Sequence, residues 1–198
     1  MTSTMGRILF LCTGNICRSA LGHHRLAHLL EQQVPGAYEV SSAGTHANLD
    51  LRAPQQILAL GGDDLHASLT AHAPQQLRRT HVAETDLLLA ATEEHLEYVL
   101  QETPAMLNRS FTILEFAALS ELMLQDGVEV RGDLRALARA AARLRSKVRT
   151  QAGGHGGLDL ADPYGGPDAG YQTMEDQLAP AVQSIAELLV SQARAAGA

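Results

Sequence analysis

Cys12 and Arg18 are separated by five residues, at the point where an apolar run gives way to a helical pattern. Five residues allow the backbone to curl so that successive amide N–H groups point at one tetrahedral anion, and Gly14 supplies the conformational freedom for that curl. The N-terminus of the following helix adds unpaired amides and a positive potential. The planar guanidinium of Arg18 can bind two oxygens of the anion, which a lysine cannot do. This spacing predicts a phosphate-binding loop.

The same positive potential favours a thiolate at Cys12, because an anionic sulfur is stabilised by the groups that stabilise a phosphate dianion. A thiolate at the base of such a loop lies in line with the scissile P–O bond. We therefore interpret Cys12 as a nucleophile that forms a phosphocysteine. The alternative is a small buried cysteine without chemistry, and the joint presence of Cys12, Gly14 and Arg18 argues against it.

Asp162 is the candidate general acid, because it precedes Pro163 in a glycine-flanked segment able to approach the loop. An aryl ester needs such an acid, since a phenol leaves poorly unless its oxygen is protonated. Asp159 is the competing acid, although it lacks the proline context. We expect Tyr164 to line the pocket and stack on an aromatic substrate, the alternative being a half-buried packing residue.

Strand and helix patterns alternate around these residues. Apolar or extended runs predict strands at residues 8–11, 38–41, 86–91 and 111–114. Helical spacing predicts five helices. They run from residue 18 to the stop at Pro35 and Gly36, over residues 53–60, from the strand at 111–114 to residue 123, over residues 134–148 and over residues 174–189. Such alternation implies right-handed β-α-β crossovers. The predicted fold class is α/β, with three layers, a four-stranded parallel sheet, helices on both faces and the phosphate-binding loop after the first strand.

The composition is that of a folded globular protein, with 198 residues of which 45% are hydrophobic and 19% are charged. We expect one domain over residues 1–198, with a helical elaboration at about residues 104–150. No apolar run reaches the roughly 18 residues of a membrane span, and the first six residues do not resemble a signal peptide. The two cysteines, Cys12 and Cys17, are too close together to staple a fold. We therefore expect a cytoplasmic protein without membrane partners.

The net charge of −7 argues against nucleic acid as a partner, because nucleic-acid binding requires a broad basic surface. One predicted helix is nonetheless basic, and its arginines are Arg135, Arg139, Arg143 and Arg149. The ordinary interpretation is a solvated helix face. A docking surface for an acidic protein partner is the alternative.

Three segments resemble the low-molecular-weight protein tyrosine phosphatase family. The first segment, Cys12-Thr13-Gly14-Asn15-Ile16-Cys17-Arg18-Ser19, resembles the family's active-site signature at every position. The second, Ser42-Ala43-Gly44-Thr45, resembles the family's second-strand segment. The third, Asp162-Pro163-Tyr164-Gly165-Gly166-Pro167, resembles its general-acid loop. Ala20 stands where a proline commonly follows the signature. The resemblance spans nearly the whole chain. It implies a hydrolase without cofactors whose substrates are phosphotyrosine proteins or small aryl phosphates.

The resemblance also implies roles for individual residues. Cys12 is the nucleophile, Arg18 binds the transition state, and Asp162 protonates the leaving oxygen and then accepts a proton from the attacking water. The remaining loop residues hold the shape of the loop or contact the substrate, and they are Thr13, Gly14, Asn15, Ile16, Cys17 and Ser19. Tyr164, which follows Pro163, also contacts the substrate. Ser42 and His72 are implied as supporting residues, and His66 competes with His72 for that role.

Two alternatives follow from the same residues. His24 and His28 have the i, i+4 spacing of a helical metal site, and His23 and His155 could join them, but three or four converging ligands are not evident and we expect no metal site. Thiol-dependent arsenate reductases share this fold and loop. Those that use an internal disulfide relay need further cysteines, which this sequence lacks, so a reductase here would depend on an external small thiol.

A separate prediction concerns oxidation. Peroxide could oxidise Cys12 and join it reversibly to Cys17 in a disulfide; the alternative is that Cys17 is a buried packing residue only.

Overall fold

The computed structural model describes residues 4–130, 132–151 and 157–197. Four strands form one parallel sheet: β1 (Gly6–Cys12), β2 (Tyr38–Gly44), β3 (Leu87–Ala90) and β4 (Ser110–Thr112). Their order across the sheet is β2-β1-β3-β4. The helices are α1 (Arg18–Gln33), α2 (Gln55–Ala71), α3 (Arg79–Glu84), α4 (Glu93–Glu102), α5 (Ile113–Gln125), α6 (Leu134–Gln151) and α7 (Asp168–Ala196), with a 3₁₀ helix at Pro104–Arg109. The predicted α/β fold is confirmed.

Alternate residues of the central strand β1 pack on opposite faces of the sheet, as the pleat requires. Ile8 and Phe10 belong to a large core that includes apolar residues of α1, α2, α5, α6 and α7. Leu9 and Leu11 belong to a smaller core with α3, α4 and the 3₁₀ helix. A Cβ at Gly22 in α1 would lie 2.8 Å from the Phe10 ring, so this glycine permits the close approach of α1 to the sheet.

Two helical regions differ from the prediction. The helix predicted to end at Gly61 and Gly62 instead bends at Gly62, whose φ is 61°, and continues to Ala71. The short helices α3 and α4 were not predicted. Helix α4 buries only Leu96 and Val99 among its apolar residues, so its apolar stripe is too short to stand out in the sequence. None of the helices in the described ranges has the length and apolar character needed to cross a membrane.

Helix α6 covers the outer strand β4. The Arg145 guanidinium donates to the carbonyl oxygens of Ser110 in β4 (2.7 Å) and Leu107 (3.1 Å), and it lies 4.4 Å from the centre of the Phe111 ring. It also pairs with Glu115, whose side chain is fully buried, at 3.0 Å. A paired guanidinium therefore satisfies backbone carbonyls along this edge of the sheet.

The arginines of α6 are only partly a solvated face. Arg135 pairs with Asp86, and Arg149 pairs with Glu115 at 2.7 Å and with Glu93 at 3.5 Å. Arg139 and Arg143 are exposed, so the proposed surface for an acidic partner reduces to these two residues. The segment 104–150 also contributes β4 to the sheet, and it is therefore more than a helical addition to a finished fold.

The pair between Arg145 and Glu115 predicts a stability effect. Arg145→Met should lower the free energy of unfolding by about 3 kcal/mol, the low end for a broken buried pair, because Arg149 still contacts Glu115. The matched control Arg139→Met changes an exposed arginine on the same helix and should stay within about 0.5 kcal/mol of the parent. Urea denaturation of the three proteins measures both values. Equal losses in the two variants would contradict the assignment.

Candidate active site

The loop between β1 and α1 is held by the end of the neighbouring strand β2. The Thr45 N–H donates to the Cys12 carbonyl oxygen (2.9 Å), and the His46 N–H donates to the Thr13 carbonyl oxygen (3.0 Å). A Cβ at Gly44 would lie 2.4 Å from the Thr13 oxygen, so only glycine fits this approach. None of the described side chains caps the N-terminus of α1, which leaves its first amides available to an anion.

Asn15 is the residue on which the loop turns. It is fully buried and has a φ of 55°, the left-handed region that asparagine tolerates better than most residues. Its side-chain Nδ2 donates to Ser19 Oγ (2.9 Å), and its Oδ1 accepts from the Gln75 N–H (2.8 Å). Its own N–H donates to Cys12 Sγ at 3.3 Å. The turn at Asn15 thus directs an amide at the sulfur.

The Cys12 sulfur has a second hydrogen-bond partner in the Ser19 hydroxyl, 2.9 Å away. Ser19 Oγ already accepts from Asn15, so its own proton is free to point at the sulfur. Two hydrogen-bond donors, the Ser19 hydroxyl and the Asn15 amide, therefore point at this sulfur. The sulfur of Cys12 is buried at the base of the loop.

Three histidines lie behind the loop. His72 Nε2 donates to the Asn15 carbonyl oxygen (2.8 Å), so its Nδ1 accepts from His24 Nε2 (3.1 Å). Burial lowers the pKa of His72, of His24 to about 4 and of His23 to about 3, which keeps the three rings neutral. Ser42 reaches this group through its 3.1 Å hydrogen bond with His23 Nδ1. His66 is exposed on α2, so of the two predicted candidates His72 is the one that contacts the loop.

Asp162 and Arg18 are paired at the mouth of the loop. Arg18 Nη2 lies 2.6 Å from Asp162 Oδ2, and the Arg18 side chain is 5% exposed while that of Asp162 is 52% exposed. Asp162 Oδ1 also accepts from the Tyr164 N–H (3.2 Å), which forms a local turn beside Pro163. The structure therefore brings together two of the residues that the sequence analysis assigned to chemistry, although they are far apart along the chain.

These residues line a pocket of about 280 Å³. Cys12, Arg18 and Asp162 form its polar end. Its remaining wall is formed by other loop residues and by residues that follow β2 and Pro163: Thr13, Gly14, Ile16, Cys17, His46, Asn48, Leu51 and Tyr164. Tyr164 is 56% exposed at the rim, so it is accessible to a bound group and is not a packing residue. Asn15 and Ser19 are buried behind the wall.

Comparison with known proteins identifies the family. Residues 7–152, more than half of the chain, match the family model for the low molecular weight phosphotyrosine protein phosphatase. The chain belongs to this family.

Relatives within the phosphatase family fall into two groups. A protein-arginine-phosphatase from Geobacillus stearothermophilus is 30% identical over 185 residues, covering 92% of this chain and 95% of that protein. The low molecular weight protein-tyrosine-phosphatase Etp of Escherichia coli (strain K12) is 32% identical over 116 residues, covering 58% of this chain and 74% of Etp. The solved structure of YwlE arginine phosphatase from Geobacillus stearothermophilus has a TM-score of 0.63 at 28% identity and covers 94% of each chain. The predicted family resemblance is confirmed.

The structure adds His95 to the candidate active site, a residue that the sequence analysis missed. His95 Nε2 lies 3.0 Å from Thr13 Oγ1 in the loop, and Nδ1 lies 2.5 Å from Thr92 Oγ1 at the start of α4. Burial and the positive charge of Arg18 lower the pKa of His95 to about 4. The position of His95 in the sequence could have identified it. Thr92 and His95 follow the third strand, and the carboxyl end of that strand lies at the same edge of the sheet as the loop.

Asp159, the competing acid, has a different environment from Asp162. Its Oδ1 accepts from the Glu93 N–H (2.8 Å) at the N-terminus of α4, and it is not among the residues that line the pocket. A carboxylate at a helix N-terminus is stabilised by the unpaired amides there. Asp159 therefore anchors the segment that precedes Asp162.

Cys17 is buried and lines the pocket as a free thiol. Burial, with the negative charges of Cys12 and Asp162, raises the pKa of Cys17 to about 12. A thiol with so high a pKa is almost entirely protonated at neutral pH and is a slow nucleophile. A disulfide with Cys12 stays a prediction, and this environment favours packing as the ordinary role of Cys17.

Proposed function

We propose that this member of the phosphatase family hydrolyses aryl phosphate monoesters, phosphotyrosine in proteins above all, through a phosphocysteine on Cys12. The observation that carries the proposal is that Cys12, Arg18 and Asp162 line one pocket, in which Arg18 is paired with Asp162. Each group supplies one requirement of the reaction. The sulfur is the nucleophile, and the guanidinium stabilises the negative charge on the phosphoryl oxygens. The carboxyl group acts first as a general acid and then as a general base.

In the first step the Cys12 thiolate attacks phosphorus. The S–P bond forms as the bond between phosphorus and the leaving oxygen breaks, and the Asp162 proton passes to that oxygen. The loop amides and Arg18 bind the three equatorial phosphoryl oxygens, where negative charge is spread in the transition state. The product alcohol then leaves the pocket with the proton of Asp162.

In the second step a water molecule attacks the phosphocysteine. The Asp162 carboxylate accepts a proton from this water, an O–P bond forms, and the S–P bond breaks to return the thiolate and inorganic phosphate. The Ser19 hydroxyl, 2.9 Å from the sulfur, stabilises the thiolate as it leaves. Asp162 is protonated again at the end of the cycle, so atoms and charge balance.

The ion pair between Asp162 and Arg18 describes the enzyme before substrate binds. A phosphate dianion has two oxygens that fit the guanidinium fork, and it can therefore replace the single contact made by Asp162 Oδ2. Replacement leaves the half-exposed Asp162 carboxylate free to take up a proton from solvent and then to face the leaving oxygen as the acid of the first step. The proton that Asp162 regains in the second step returns to solvent when the pair with Arg18 forms again. Substrate binding is thus coupled to release of the acid.

The pocket wall supports an aryl group as the substrate's leaving group. Ile16 and Leu51 give this wall an apolar surface, and the exposed Tyr164 ring lies at the rim where a second ring can stack. A guanidinium leaving group would instead need hydrogen-bond acceptors when buried. Asp162 is the carboxylate among the lining residues, and the proposed mechanism uses it to protonate the leaving atom.

Phosphoarginine is the second candidate substrate, because the Geobacillus stearothermophilus relative that matches 92% of this chain is named a protein-arginine-phosphatase. A panel of peptides with phosphotyrosine, phosphoarginine or phosphoserine tests the choice. We expect kcat/KM for phosphotyrosine to exceed the others by about tenfold or more, the discrimination that one pocket wall can supply. Preference for phosphoarginine would overturn the aryl assignment. Turnover of arsenate with glutathione or mycothiol, without phosphatase activity, would support the reductase alternative.

The covalent step predicts the behaviour of Cys12→Ser. Turnover of p-nitrophenyl phosphate should fall below detection while vanadate binding persists, because an alcohol does not ionise in this site as a thiol does. Phosphoenzyme trapped by rapid acid quench should lie on Cys12 in the wild type and in the matched control Cys17→Ser. A serine variant that retains about one-tenth of wild-type turnover would contradict covalent catalysis.

The acid step predicts a leaving-group dependence for Asp162→Ala. The loss of kcat should be small for p-nitrophenol and about a hundredfold or more for tyrosine, because only the poorer leaving group needs a proton. A series of aryl phosphates gives the Brønsted slope for each variant. Asp159→Ala is the control, and its effect should not vary with the leaving group. Equal losses of Asp162→Ala on all leaving groups would indicate a structural role instead.

A further inference from the structure

Three imidazoles converge behind the phosphate-binding loop, on the side away from the pocket. His23 and His24 come from α1, and His72 follows α2. One ring nitrogen from each lies within 4.8 Å of the other two, and the residues are buried or partly buried. The rings of His23 and His24 are stacked with centroids 4.3 Å apart, and the His72 ring meets His24 edge-on at 5.1 Å.

His72 already has the hydrogen bonding of a metal ligand. Histidines that bind metal usually donate their second ring N–H to a carboxylate or a backbone carbonyl, which fixes the tautomer and the ring orientation. His72 Nε2 donates to the Asn15 carbonyl oxygen at 2.8 Å, so the lone pair of Nδ1 points toward His24. The arrangement needs no proton to leave His72 when an ion binds.

The spacing of the nitrogens suits a tetrahedral ion. The 3.1 Å between His72 Nδ1 and His24 Nε2 is near the edge of roughly 3.3 Å that Zn–N bonds of 2.0–2.1 Å produce in a tetrahedron. His24 would carry its ring proton on Nδ1 instead of Nε2, without loss of a proton. His23 would exchange its hydrogen bond with Ser42, whose hydroxyl is 3.1 Å from Nδ1, for a bond to the ion. His23 also has a hydrogen bond to the backbone of Val40.

We propose that His23, His24 and His72 form a zinc-binding site behind the phosphate-binding loop, with water as the fourth ligand. Three neutral imidazoles with one open position are a donor set that zinc accepts. The neutral form is the one present, because burial disfavours the imidazolium of each ring. The sequence analysis expected no metal site, since it considered His24 and His28 on one helix and could not bring His72 to them. His155, which it also considered, lies outside the described residues.

The ion would act on the loop through His72. His72 holds the Asn15 carbonyl oxygen, and Asn15 orients Ser19 and directs its own amide at the Cys12 sulfur. An ion fixed to His72 therefore restrains the turn from behind and leaves the pocket open to phosphate. Zinc and phosphate should consequently bind together rather than compete, which distinguishes this site from zinc bound to the Cys12 thiolate.

The test uses zinc alone as the probe and Cys12→Ser as the parent protein, because that substitution removes the competing thiolate. Isothermal titration should give one zinc per chain, and cobalt substitution should give the visible absorption of a tetrahedral ion. In this background His24→Gln should weaken zinc binding by about tenfold or more, because glutamine can still donate to His72 but is a poor zinc ligand. The matched control is His28→Gln, which changes a histidine of α1 whose Nε2 contacts Gln32 instead.

Control measurements show whether each variant is folded and still binds phosphate. Each variant is checked for phosphate binding and for its circular dichroism spectrum, and His23→Gln replaces His24→Gln if the latter does not fold. Sulfate replaces phosphate in the zinc titrations, because zinc phosphate precipitates and zinc sulfate does not. Zinc binding that persists with saturating sulfate and is lost in His24→Gln or His23→Gln but not in His28→Gln supports the site. Absence of one-to-one binding, an equal loss in His28→Gln, or displacement of zinc by sulfate would overturn it. None of these readouts depends on the substrate or on catalysis.

Discussion

The left-handed turn at Asn15 is the constraint on which the active site depends. A non-glycine residue in this conformation costs about 1–2 kcal/mol. Asn15 offsets that cost through hydrogen bonds to Ser19, Gln75, His72 and Cys12, each worth roughly 0.5–1.5 kcal/mol. Because His72 and Gln75 lie about sixty residues away along the chain, this full set of hydrogen bonds exists only in the assembled fold. The loop is therefore shaped by tertiary contacts as much as by its own sequence.

The second constraint is the buried guanidinium of Arg18 in a chain whose net charge is −7. A cation with a side chain 5% exposed needs an anionic partner, and before substrate binds Asp162 supplies it. A dianion can displace this carboxylate because it offers more charge and a bidentate fit. The proposed binding of a phosphate dianion thus depends on local groups and does not require a positive net charge.

The sequence was informative where the chemistry is contiguous and less so where it depends on distant contacts. Residues 12–19 carry the loop within eight positions, so their types and order were enough to predict it. His95 escaped notice because its partner Thr13 lies 82 positions away, and α4, which carries it, has a short apolar stripe. The choice between His66 and His72 stayed open because the bend at Gly62, with its positive φ, changes the direction of α2.

The segment of residues 158–162, which carries Asp162 to the pocket, is held in place by residues far from the pocket. Thr112 at the end of β4 donates to the Leu158 carbonyl oxygen (2.7 Å), and the Leu160 N–H donates to the Ala91 carbonyl oxygen (2.8 Å) beyond β3. Asp159 is bound to the start of α4, where Glu93 also pairs with Arg149 of α6. The chain before Asp162 is therefore fixed to the carboxyl ends of two strands. In the mechanism proposed above, the movement by which Asp162 exchanges Arg18 for a leaving oxygen would involve the residues after Leu160, because the residues before it are held by these hydrogen bonds.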